Sequence, residues 1–387
     1  MTRHRLEVVA AFIAGVLLTL ALVGPVRAGT HNCRPAWKCN QPTARASLPA
    51  PTASPPAPTA APTSFPWATL QAAVDATAPG GTVDATGRTF YETITIQKAL
   101  TIKGGTIDGQ GLRTEWVRVW AADVTITDAT FRNAKAGALQ SGSISVSGAR
   151  FRLIRAVAVS GSYAALQLWP GSDGALIEDA DFSGAPMGII GYQTNGSTIR
   201  GGRIHHATGT PDLGNESGGI KLGQSVGARV ENVEIDHNVG PGAWLDVYCT
   251  DGVLIGNDVH DNSRVGIMVE IEDGYTVTGN TVYRNALGNP GNAFQMNGGI
   301  LVSSSRRGSV SGNTVAWNGF GTTQPPASDI TFVSQNRAPL PHDGNSATGN
   351  VLRRLPLTYT DFGDPNVPVT GPNTLVADTD PRIAGLK

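Results

Sequence analysis

From about residue 67 onward, apolar and polar residues alternate in short bursts, and most bursts are broken by glycine or asparagine. Alternation of period two is the pattern of a strand with one face buried. The helical period surfaces in 69-TLQAAVDAT-77, a short amphipathic turn placed to cap the start of the strand-rich part.

The bursts recur at fixed distances. Gly219, Gly242, Gly266 and Gly299 each open an alternating strand, at intervals of 23, 24 and 33 residues, and Asn238, Asn262, Asn285 and Asn318 recur at 24, 23 and 33. The two series keep step through the long interval, so the extra residues form one insertion, 286-ALGNPGNAFQMNG-298. A second series, Asn257, Asn280, Asn313 and Asn350, sits in Gly-Asn pairs. Each cycle reads as strand, turn, strand and asparagine-bearing turn. This predicts an all-β fold, a right-handed single-stranded parallel β-helix with a short N-terminal cap helix, in which equivalent positions stack about 4.8 Å apart. A β-sandwich would also use short strands, but it gives no reason for equal spacing in two asparagine series.

The stacking assigns faces. Ile220, Ala243, Ile267 and Ile300 point inward, as do Leu222, Leu245, Val269 and Val302, with Leu166 and Ile189 before them and Ile330 and Phe332 after. The outward positions then form two columns, Gln167, Ile190, Lys221, Trp244, Met268, Leu301 and Trp169, Tyr192, Gly223, Asp246, Glu270, Ser303. Lys221, Trp244, Asp246 and Glu270 therefore meet on one outer face. Two carboxylates one coil apart repel, an arrangement that folding does not need and chemistry often does. Trp169 and Tyr192 extend the face as an aromatic stripe suited to sugar rings. The segments 207-ATGTPDLGNESG-218 and 286–298 leave the coil on either side and would wall a groove, with Glu216 able to swing towards Lys221. The competing reading is a set of surface ion pairs worth little. A further outward column holds His205, Asp236, His260 and Tyr283, followed by His206, His237, Asp261 and Arg284, and is read as turn residues bonding the next coil.

Composition narrows the classes. With 29 Lys and Arg against 30 Asp and Glu, nothing suggests a nucleic-acid surface. Residues 1–28 carry a basic start, an apolar run and a Val26-Arg27-Ala28 cleavage pattern, which predicts a signal peptide, with an uncleaved anchor as the alternative and a secreted or cell-surface location either way. Residues 29–66 are a Cys-containing linker rich in Pro, Ala and Thr, in which Cys33 and Cys39 are close enough to pair, and 67–387 form the β-helix domain. A capped β-helix needs no partner chain, so a monomer is expected.

The segments 216-ESGGIKL-222, 240-GPGAWLDV-247 and 266-GIMVEI-271 resemble the secreted right-handed parallel β-helix repeat proteins of the pectate-lyase-like superfamily, and more narrowly a bacterial group with Glu-x-Gly-Gly-x-Lys, Gly-x-Trp-x-Asp and a glutamate before Ile. The opening 69–105 is similar to the superfamily's cap helix and first coils. The resemblance implies a polysaccharide substrate and carries over Glu216, Lys221, Trp244, Asp246 and Glu270 by position. This chain departs from the group at Val269, where histidine is frequent, and at Glu272-Asp273.

Three functions are open at this point. A lyase cleaving an acidic polysaccharide by β-elimination would use Lys221 as base, with Asp246 and Glu270 holding calcium through oxygen ligands. A retaining glycoside hydrolase would use Asp246 and Glu270 as its carboxylate pair, since about 5 Å separates such groups. A non-enzymatic glycan-binding surface protein would use Trp244, Tyr192 and Trp169 alone.

Overall fold

In the computed structural model of the protein, the described residues are 65–139, 141–210, 217–288, 296–320, 326–334, 343–360 and 369–387. The expected signal peptide, almost all of the linker, Cys33, Cys39 and Glu216 lie outside them.

Three parallel sheets of 12, 12 and 11 strands run the length of the domain, and each turn of chain gives one strand to each sheet in the same order. The first turn runs Thr82–Asp84, Thr89–Phe90 and Ile94–Ile96; the turn bearing Lys221 runs Thr198–Arg200, Arg203–His205 and Gly218–Gly223. The predicted register holds in the third sheet. Ile220 pairs with Ala243, Leu222 with Leu245, Ile267 with Ile300 and Val302 with Phe332. These side chains join the inward residues of the other two sheets in one continuous apolar core.

Two of the three corners of the coil are built from asparagine. Asn238, Asn262, Asn285 and Asn318 stand between the second and third sheets, and each Nδ2 donates to the Oδ1 of the next at 2.9 Å. Asn257, Asn280, Asn313 and Asn350 do the same between the first and second sheets, ending on Asn373. The Gly-Asn pairs follow from backbone geometry. Gly256, Gly279 and Gly312, each just before a ladder asparagine, sit at φ 67, 65 and 63, where a side chain is strained. The column Gly219, Gly242, Gly266 has a different cause. A Cβ on Gly242 would lie 2.7 Å from Val259 Cγ1 and 2.9 Å from Asn262 Nδ2, so the ladder and the second-sheet core leave it no room.

The predicted cap helix, α1, spans Leu70–Ala76, with Thr69 Oγ1 accepting from Ala72 N at 3.1 Å. It buries Leu70, Ala73 and Val74 over the end of the core. At the other end, the C-terminal residues continue the stack. Val369–Thr370 and Thr374–Leu375 extend the first and second sheets, because Asn373 occupies the next rung of the ladder. A short helix, α2 (Pro381–Ala384), then packs Ile383 against Trp317.

Candidate functional site

The third sheet places the predicted residues as alternation requires. Ile190 pairs with Lys221, Lys221 with Trp244 and Trp244 with Met268; Tyr192 pairs with Gly223, Gly223 with Asp246 and Glu270 with Ser303. Lys221 Nζ lies 3.2 Å from Asp246 Oδ2 and 3.9 Å from the centre of the Trp244 ring. Lys221 Nζ thus has a carboxylate and an aromatic face as its neighbours. Glu270 occupies the same column as Asp246 one coil on, so the three groups form one charged cluster.

The cluster is not open to solvent as a groove would be. Lys221, Trp244, Asp246 and Glu270 are 4 %, 3 %, 8 % and 3 % exposed. The outer face carries small apolar clusters of its own. Trp244 and Met268 pack with Val265, Met296, Leu301 and Ala327, while Ile190 packs with Tyr163, Ala164 and Met187. Lys221 stands in its column between Ile190 of one cluster and Trp244 of the other. Of the expected aromatic stripe, Trp244 is buried in the first of these clusters, Tyr192 packs against the second, and Trp169 is half-buried. The Trp169 indole donates to Ser145 Oγ at 2.9 Å. The Tyr192 ring lies over Gly223, where a Cβ would come within 2.5 Å of it.

The histidine column belongs to the second sheet and to the turn after it, on the other side of the asparagine corner. His205, Asp236, His260 and Tyr283 pair in register. The residues that follow, His206, His237, Asp261 and Arg284, all have φ between 51 and 54, which turns their side chains outward at the corner. Arg203 grips Asp236 through two bonds of 2.7 Å, and His237 Nδ1 lies 2.5 Å from Asp236 Oδ2. Burial raises the Asp236 pKa, but the bonds from Arg203 and His237 outweigh it and hold the carboxyl below its usual range. Burial works against ionisation of Asp261 too, yet the Arg284 and His260 bonds bring it down to about 2.

No curated protein matches the sequence. The family described as right handed beta helix region matches residues 116–315, over half of the chain. The chain belongs to the right-handed β-helix family. Among solved structures, this β-helix resembles the A-module of the Azotobacter vinelandii mannuronan C-5 epimerase AlgE6, with a TM-score of 0.55 and 14 % identity over 80 % of this chain and 94 % of that one. It also resembles the periplasmic alginate epimerase AlgG, at 0.50 and 12 % over 77 % and 84 %, and tailspike protein 2 of bacteriophage CBA120, at 0.50 and 11 % over 73 % and 44 %. At these identities the likeness is one of fold.

The face of the β-helix around Lys221 has one more property. Among the described residues, the buried side-chain atoms without a hydrogen-bond partner include Gln167 Oε1, Trp244 Nε1 and Ser303 Oγ, all on the two outer columns. Such atoms are rare in proteins, and three along these two columns mark a face whose polar capacity the fold does not use. Alternation put Gln167 and Ser303 in these columns, but nothing in the sequence showed that they are buried and unsatisfied. Calcium takes six or more oxygens; the two columns offer Asp246, which faces Lys221 Nζ, together with Glu270 and Ser303.

Proposed function

We propose that this β-helix acts on an acidic polysaccharide at the outer face of its third sheet, removing the C5 proton of a uronate with β-elimination as the outcome. The supporting observation is the buried Lys221, held against Asp246 and Trp244 on a face whose outer columns also carry the unsatisfied Gln167, Trp244 and Ser303 atoms. Lys221 is the proton-transferring group, Asp246 sets its position, and the unpaired donors and acceptors receive sugar hydroxyls. Lys221 as the neutral amine takes the C5 proton, the electron pair forms the C4–C5 double bond, and the C4–O bond breaks as the ammonium so formed gives that proton to the leaving oxygen. The two epimerases that share the fold are named for mannuronan and alginate, both polyuronates, and C5 epimerisation begins with the same proton loss. Lys221 is 4 % exposed, so the side chains over it must part for a sugar to reach Nζ. An exported location, with residues 1–28 as the export signal, would bring such a substrate within reach.

A second reading rests on Asp246 and Glu270, carboxylates of one column in consecutive coils about 4.8 Å apart, the spacing of a retaining glycoside hydrolase. Wild-type protein on a panel of acidic and neutral polysaccharides separates the two, with unsaturated uronate and new reducing ends followed together in the presence and absence of chelator. Unsaturation rising with the ends supports elimination. Ends without unsaturation move the chemistry to the carboxylate pair, and silence on all substrates leaves a glycan-binding protein.

A further inference from the structure

The corner between the second and third sheets, away from Lys221, gathers nitrogen and oxygen donors from consecutive coils. We propose that Asp236, His237 and His260 form a site for a borderline divalent cation of the zinc type, which clips neighbouring coils together.

The donor atoms of these three residues all lie within 4.8 Å of one another. Four ligands around a zinc at about 2.0–2.1 Å stand roughly 3.4 Å apart, so the set closes by a small turn of His237, whose side chain is 48 % exposed and able to move. The other two are already fixed. The His260 ring stacks on Tyr283 at 4.8 Å, and its Nδ1 lies 2.8 Å from Asp261 Oδ2. Asp261 is in turn gripped by Arg284 through Nε and Nη2 at 2.8 and 2.5 Å. A carboxylate behind one imidazole nitrogen fixes the proton there and turns the other lone pair outward, the usual support of a metal-binding histidine. The lone pair of His260 Nε2 then faces the cluster, 3.6 Å from Glu234 Oε1, which supplies a fourth ligand.

Asp236 is completely buried and keeps lone pairs beyond the two that Arg203 uses. Its short contact with His237 Nδ1 places a proton where the cation would sit. Charge agrees with this. Glu234, Asp236 and Asp261 face Arg203 and Arg284 in the salt bridges of this corner, a carboxylate surplus of one (three against two). Two imidazoles select zinc or its transition-metal neighbours over calcium and magnesium. Because Asp236 and His237 belong to one coil and His260 to the next, the ion would tie adjacent rungs.

The test is titration of the chelator-treated full chain with zinc chloride at neutral pH, read by calorimetry and by thermal melting. The expected result is saturable binding with a raised melting midpoint, abolished in His260→Ala and weakened at least tenfold in His237→Gln. The exposed His237 keeps the second variant folded, and its zinc-free melt should match wild type. His205→Gln, outside the trio, should bind as wild type does. Absence of saturable binding overturns the proposal. So does binding that survives both substitutions, which places zinc elsewhere in the chain, or binding lost in His205→Gln, which assigns it to a different set of histidines.

Discussion

Removing one rung of the corner ladder should cost a large part of the stability of the domain. Asn262 Nδ2 donates to Ile235 O at 2.9 Å and to Asn285 Oδ1 at 2.9 Å, and its Oδ1 accepts from the Asn238 backbone N at 3.1 Å and from Asn238 Nδ2 at 2.9 Å. In Asn262→Ala, Asn238 Nδ2 still reaches Ile204 O, and Asn285 Oδ1 still accepts from the Asn262 backbone N. The Asn238 backbone N–H and the Ile235 carbonyl lose the partner that the side chain supplied. Two buried groups at about 1–3 kcal/mol each give about 2–6 kcal/mol, against a total for a domain of about 5–15 kcal/mol. Urea unfolding by circular dichroism measures the total, and hydrogen exchange at Asn238 N locates it. Asn262→Asp keeps the acceptor but sets a carboxylate against the Ile235 carbonyl, so it should destabilise more than alanine at neutral pH and recover as the pH falls. A loss below about 1 kcal/mol for Asn262→Ala, with exchange at Asn238 unchanged, would refute the ladder as a stabilising device.

Three further outcomes follow from single residues. Gly242→Ala places a Cβ 2.7 Å from Val259 Cγ1 and should lower stability by about 1–3 kcal/mol, as overpacking does, measured by the same unfolding experiment. Burial pushes the Glu272 carboxyl up to about 8, with Gly252 N its donor at 2.7 Å. Its folded-state pKa lies above the unfolded one, so its contribution is fully present below about pH 4.5 and is lost as the pH rises through about 8. Glu272→Gln should therefore gain on wild type across that window by up to about 1.4 kcal/mol per pH unit; parallel stability curves for the two proteins would refute it. Gly223→Ala should push the Tyr192 ring aside and raise KM more than it lowers kcat, and an unchanged KM would remove Tyr192 from substrate binding.

The placement of Lys221, Trp244, Asp246 and Glu270 on one face was legible because strand alternation and two asparagine series fix register independently. The depth of that face was not. Burial of Trp244 involves Met296 and Ala327, which lie outside the strands that carry the repeat, and a side chain's partners across such segments leave no periodic trace. The column of His205, Asp236 and His260 was likewise legible as a column. Its sheet was not, since the angle at the asparagine corner depends on the left-handed backbone at His206, His237 and Asp261, a conformation that histidine and aspartate adopt without announcing it. The earliest coils were legible only through the likeness of 69–105 to the superfamily's first coils, because the asparagine series begin later in the chain, and the strand pairing from Thr82 onward continues unbroken.

The most direct test of the central claim compares wild type with Lys221→Ala on a polyuronate that the wild type consumes, following unsaturated product at saturating substrate. Matched melting midpoints would show that the variant is folded as wild type is. The account predicts that kcat falls by about 100-fold or more, the scale of a lost proton-transfer group. Turnover within a few-fold of wild type, or depolymerisation with no unsaturated product, would contradict it.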